Sequence, residues 1–233
     1  MNSVKIPRQR AIVDRRKTAE AINALVAKQG DKARRDVVSL LKDVLDKGRT
    51  EIAKRLEEKP SAGHECGAAQ ALLIDQILRL VHDHVIEHVY PVGNRSSAEK
   101  IAILAVGGYG RAEMAPHSDV DIAFITPIKR AAWCEQVIEA MLYFLWDLGL
   151  KVGQSSRTVD ETIRMAKEDL TIRTALLESR FIWGDRDLYE ETGRRFARRT
   201  KIDDATDFMG WYFSKSRESL GIPLEDAKQS GRL

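Results

Sequence analysis

The residues whose types and spacing could do chemistry lie within positions 103–125, ILAVGGYGRAEMAPHSDVDIAFI. Gly107 and Gly108 close a short apolar run. Without Cβ atoms, two adjacent glycines let backbone N–H groups approach a ligand closely. A helical turn after them would aim free N–H groups and its dipole at an anion, typically phosphate. Asp119 and Asp121 follow. On a strand, residues two apart share a face, so both carboxylates project together while Val120, Ile122 and Phe124 face a core. Two adjacent carboxylates repel, and one is protonated unless a cation neutralises the pair. Mg²⁺ prefers oxygen ligands and is held by one or two carboxylates plus substrate phosphates. The stretch therefore reads as a metal–nucleotide site, and in-line displacement at phosphorus is the reaction it supports best.

Neither half of this pattern is specific alone, since turns explain most Gly-Gly pairs and surface strands often carry Asp-x-Asp. Their combination, strand–GG–turn–DhDh with apolar flanks, is far more specific. It is not a Walker A loop, because no GK[ST] occurs. It is not a dinucleotide fingerprint either, because position 113 is Glu where that motif needs Gly.

GGYGRAEMAPHSDVDIAF (107–124) resembles the signature of the nucleotidyltransferase superfamily that includes DNA polymerase beta. More narrowly, it is similar to the N-terminal domain of the PII uridylyltransferase/uridylyl-removing enzymes of bacterial nitrogen control. DKGRTEIAKRL (46–56), LWDLGLKVGQSSRTVDETI (145–163) and DLTIRTALLESRFIWGD (169–185) resemble that family's flanking segments. The resemblance implies Mg²⁺-dependent transfer of UMP from UTP to a tyrosine of the PII signal protein. Carried over by position, Gly107 and Gly108 would contact the triphosphate, and Asp119 and Asp121 would be catalytic and hold Mg²⁺. Arg111 and Ser118 would be further phosphate contacts, although Arg111 could instead pair with Glu113 and Ser118 could cap a turn. One feature departs from the superfamily pattern. Many members carry a third carboxylate on the next strand, whereas Val152-Gly153-Gln154-Ser155-Ser156-Arg157 has none. The general base is therefore unassigned. A related adenylyltransferase and a non-catalytic nucleotide-binding remnant are the alternatives.

Family members are several times longer, adding an HD hydrolase domain and glutamine-sensing ACT domains. The chain's 233 residues hold the transferase region and little else. The expectation is a chain without uridylyl-removing activity or glutamine control.

Several elements must position these residues. Helical periodicity covers 11–48, with Gly30 and Gly48 as stops, then a short helix at 49–57 and a loop at 59–67. Residues 68–89 form an amphipathic helix ending before Pro91. A polar connector (92–100) leads to strands at 101–106, 119–127 and 150–159, with a helix at 131–149. Thr158 and Glu161 form a capping box, and helical pattern continues to about 218. The fold class is α/β (α+β): a nucleotidyltransferase core with a small mixed sheet (96–190) between an N-terminal helical region (1–95) and a C-terminal helical tail (191–233), shortened relative to the family.

Other candidates are weaker. His84 and His88 stand i,i+4 but lack further ligands, so solvated helix histidines are the simpler reading. His64-Glu65 begins a zincin motif that fails at Ala68. RRFARRTK (194–201) reads as a solvated helix face. Charge is nearly balanced, 38 basic against 35 acidic residues, which argues against a nucleic-acid-coating protein. Two cysteines exclude a disulfide framework. No secretory leader or membrane-spanning segment is expected from the sequence, and a cytoplasmic location is expected.

Overall fold

The computed structural model describes residues 4–92, 98–128 and 131–199. The expected tail beyond 199, with Trp211 and the end of the basic cluster, lies outside the described residues, as does the middle of the 92–100 connector.

Helices α1 (Gln9–Ile12), α2 (Arg15–Gln29), α3 (Arg34–Glu58) and α4 (Gly63–His84) come first, with α4 running into a π-helical turn at Val85–Val89. Asp14 caps α2 by accepting from the Lys17 N–H, and Gly30 ends it at a φ of 58° that favours glycine. The expected stop at Gly48 does not occur. Helix α3 continues through it, because a hydrogen there lets α3 lie against the Leu73 side chain and the Ile12 carbonyl. Residues 49–57 are thus the second half of α3, and α4 begins at Gly63, inside the expected loop.

The second half alternates strands and helices: β1 (Ala102–Ala105), α5 (Gly107–Gly110), β2 (Val120–Thr126), α6 (Ala132–Asp147), β3 (Val152–Thr158), α7 (Val159–Glu168), α8 (Leu170–Leu177), β4 (Arg180–Gly184) and α9 (Arg186–Arg199). The sheet order is β3-β2-β1-β4. β1 pairs antiparallel with β2 and β4, and β2 pairs parallel with β3 through α6, so the sheet is small and mixed as expected. β4 falls where helical pattern was expected. Its RFIW run is β-branched and aromatic, bounded by Ser179 and Gly184, and its backbone completes the free side of β1.

Both faces of the sheet are covered. Ile103, Ala105, Val120, Ile122 and Phe124 join α2, α3, α4 and α6 in the larger core. Ala102, Leu104, Ala123 and Ile125 pack under Val159, Ile163 and Leu188 in a second core. A continuous apolar run such as IAILA is what a strand buried on both faces needs. Among the described residues, no helix is long and apolar enough to cross a membrane.

Candidate active site

β1 leads into the glycine turn, and β2 returns beside it. The Val106 N–H donates to the Asp121 carbonyl at 3.1 Å, which fixes the turn against the start of β2. Gly107 has a φ of 60°, the left-handed region that glycine enters without penalty. α5 closes at once, Gly110 N–H donating to Val106 C=O at 3.0 Å and Arg111 N–H to Gly107 C=O at 3.1 Å. Gly110 has a second reason to lack a side chain, because a Cβ there would overlap the Glu178 carbonyl.

Asp119 stands just before β2 and Asp121 is its second residue. The expected alternation holds: Val120, Ile122 and Phe124 enter the larger core, and Asp121 lies on the other face, in line with Ala123 and Ile125. Asp121 is flanked by two glycines. A Cβ on Gly107 would stand 3.6 Å from Oδ2, and a Cβ on Gly153, its partner in β3, would overlap Oδ1. Burial first, and then the charge of Asp119, push the Asp121 carboxyl above its ordinary range. Neither carboxylate has a hydrogen-bond or ion-pair partner among the described residues. Among those residues no cluster of three His, Cys, Asp or Glu side chains could hold a metal unaided. To hold a metal, the two carboxylates would need further oxygens from a ligand or from water.

The other expected site residues are near but engaged. Arg111 donates to Glu113 at 2.8 Å and meets Glu178 at 2.9 Å. The bond to Glu113 is the largest of the influences holding its guanidinium above the usual range. The Ser118 hydroxyl donates to the Ala115 carbonyl at 2.6 Å. Asp160 and Glu161 begin α7: Glu161 completes the capping box with Thr158, and Asp160 pairs with Arg195. Neither supplies a third carboxylate on β3.

Sequence reasoning missed three residues behind the glycine turn. Tyr109 is buried, and its hydroxyl donates to Asp75 Oδ1 of α4 at 2.7 Å. Arg180, at the start of β4, donates to both Asp75 oxygens at 2.6 and 3.1 Å. It also donates to the carbonyls of Tyr109 at 3.2 Å and Gly110 at 3.3 Å. One guanidinium thus ties α4, the glycine turn and β4 together. Burial acts to lower the Arg180 pKa, but hydrogen bonding and charge from Asp75 leave it raised. An aspartate inside the apolar α4 pattern was the one available signal. Gly153 was missed too, although a glycine within a strand often marks a close approach.

His84 and His88 lie apart from this site. His84 is buried, only 6% exposed, and packs edge-on to Phe144 at 5.3 Å. It is a core residue, not the solvated helix histidine expected. His88 faces Asn23.

The chain is similar to known proteins over most of its length. The chain is 64% identical over 196 residues to the bifunctional uridylyltransferase/uridylyl-removing enzyme of Erythrobacter litoralis, taking in 84% of this chain and 21% of that enzyme. It is 66% identical over 192 residues to the enzyme so named in Novosphingobium aromaticivorans, covering 82% of this chain and 21% of the relative. With that of Azospirillum brasilense it shares 46% over 209 residues, 89% of this chain and 22% of the relative. The chain is homologous to the uridylyltransferase/uridylyl-removing enzymes. It spans about a fifth of the length of these relatives. The resemblance first carried by residues 107–124 therefore extends over most of the chain. A transglycosylase SLT domain model also matches residues 180–230. The described part of that stretch, β4 and α9, is built into the same sheet and the second core.

Proposed function

We propose that this chain carries a nucleotidyl-transfer site that, with Mg²⁺, moves UMP from UTP to a tyrosine of a PII-type signal protein. The observation that carries the reading is the unpartnered Asp119–Asp121 pair, with glycines at both oxygens of Asp121 and a glycine turn alongside. The Asp75–Arg180–Tyr109 network behind the turn is satisfied, whereas this pair has no partner among the described residues.

Asp119 and Asp121 would hold Mg²⁺, and the fit is sound. The donors are hard oxygens, the missing Cβ atoms leave room at each Asp121 oxygen, and a cation would relieve the repulsion that raises Asp121. When bound, Mg²⁺ stabilises charge on the attacking and leaving oxygens. The first N–H groups of the turn, at Gly107 and Gly108, would be free of intrahelical partners and would face the triphosphate. Arg111 and Ser118 contact phosphate by exchanging a present partner, a glutamate for Arg111 and the Ala115 carbonyl for Ser118. The acceptor oxygen attacks the α-phosphorus, the bond to the pyrophosphate oxygen breaks, and pyrophosphate leaves with that electron pair. The hydroxyl proton passes to solvent, with no side chain assigned as base.

The test is incubation of the full chain with α-labelled UTP, Mg²⁺ and the PII protein of the same organism, with α-labelled ATP in parallel. Label on PII from UTP is expected. Label from ATP alone would move the reading to adenylyl transfer. Nucleotide binding without pyrophosphate release would leave a binding module.

A further inference from the structure

A cleft of about 850 Å³ lies between α3, α4 and residues 114–117, the stretch that leads from the glycine turn to Asp119. Two contacts fix the register of the two helices: Gly48 lies against Leu73, and the Cys66 thiol meets the Ile52 carbonyl at 3.9 Å. Sequence order reverses between these contacts, so α3 and α4 are antiparallel. Arg49 and Gln70 both line the cleft, and the register places them at the same end of it. Past them the walls are apolar, with Ile52 and Ala53 on α3 and Cys66 on α4. Met114 and Pro116 form the roof. Gly67 admits that roof, because a Cβ there would stand 3.4 Å from the Met114 carbonyl oxygen. Leu56, 36% exposed, lies toward the other end.

Both polar groups at the first end are unpartnered. Gln70 is only 6% exposed, yet its amide makes no hydrogen bond among the described residues. Arg49 is half-buried, its Nε is buried without a partner, and it forms no ion pair among the described residues. Buried amides are normally hydrogen-bonded, and a cation withdrawn from water normally has an anion beside it. Glu57 also lines the cleft, but it stands about 12 Å along α3 from Arg49 by the helical rise. His117 adds no negative charge. The cleft thus has the makeup of a small-molecule site, with mostly apolar walls and a few polar groups gathered at one place.

We propose that this cleft binds an amphipathic carboxylate, a small molecule with one anionic end and an aliphatic or aromatic body. The carboxylate sits on the planar fork of Arg49, which suits two parallel hydrogen bonds, and accepts a further one from the Gln70 amide nitrogen. The body lies along Ile52, Cys66 and Met114. The two halves of the cleft select this class together. A bare inorganic anion would leave the apolar walls wet, and an uncharged apolar molecule would leave Arg49 and Gln70 without partners. The roof runs on into Ser118, whose hydroxyl donates to the Ala115 carbonyl at 2.6 Å, so the ligand lies beside the stretch that carries Asp119. The inference does not depend on the transfer reading.

The test titrates the full chain with anilinonaphthalene sulfonate, a fluorescent anion with an aromatic body, and then displaces it with octanoate or octanol. One saturable site is expected, with octanol at least about tenfold weaker than octanoate, since a hydrogen bond to a charged group is worth that factor or more. Arg49→Gln should weaken octanoate by about tenfold and leave octanol unchanged, with the thermal midpoint held. Ala53→Trp, at an exposed helix position that lines the cleft, should fill the cleft and abolish binding of all three. No saturable binding to the full chain, as when its own residues beyond 199 fill the cleft, overturns the proposal. Equal affinity for octanol and octanoate, or octanoate binding untouched by either substitution, overturns it too. Displacement of the probe by a PII-type protein but not by octanoate would give the cleft to a protein segment and reject the small-molecule site.

Discussion

Two aspartates stand on either side of the glycine turn and are treated in opposite ways. Asp75 lies behind it, buried, and accepts from the Tyr109 hydroxyl and twice from Arg180. Asp121 lies in front, half-buried, facing a second carboxylate and two glycines, with no cation paired to it among the described residues. The first has its charge cancelled and its lone pairs filled, which makes it a fastener. The second is held where its charge is unfavourable until something positive arrives, which is what the proposed chemistry would use. On the proposed reading, a saturated carboxylate steadies the turn on one side and an unsaturated one on the other is kept for chemistry.

The contrast can be broken most directly by Asp121→Asn. Transfer should fall by about a thousandfold, while the thermal midpoint holds or rises because repulsion with Asp119 is relieved. Full activity in this variant would remove the chemical role. Asp75→Ala should do the reverse: it strands the Arg180 charge and the Tyr109 hydroxyl, costing about 3 kcal/mol in chemical denaturation. A shift below roughly 1 kcal/mol, the net worth of an ordinary hydrogen bond, would mean the network is not a fastener. Gly153→Ala sharpens the comparison, since the new Cβ meets Asp121 Oδ1 and must displace it. Transfer should drop about a hundredfold, with denaturation little changed. Wild-type rates would show that Asp121 does not depend on that gap.

The smallest effect is a pH dependence away from the site. Burial, then the charges of His88 and Arg34, take His84 from 6.5 to about 4. The unfolded chain binds this proton more readily than the folded one. The stability it contributes is therefore complete above about 6.5 and is lost as pH falls toward 4. His84→Leu should flatten that part of the melting profile. An unchanged profile would show that His84 does not titrate this way.

Some of this was legible in the residue order. The turn at Gly-Gly and the shared face of Asp-x-Asp on an apolar strand are local, because side-chain alternation is a property of any strand. The capping box at Thr158 and Glu161 is local in the same sense, and Gly30 ended α2 as read. Gly48 misled, because its meaning lay in Leu73 and Ile12, which approach only after α3 and α4 pack. β4 misled for a similar reason: a short apolar run has no fixed period until β1 offers it hydrogen bonds.

By itself, then, the sequence determined the two carboxylates, the glycine turn, the α/β class and the homology, since these rest on residue type and short-range spacing. Tertiary structure alone decided that Arg180 and Asp75 clasp the turn across 105 positions of chain. It also set Gly153 against Asp121 and, among the described strands, left β3 at the edge. Those relations depend on strand order and register, and pairings between distant segments have no local signature.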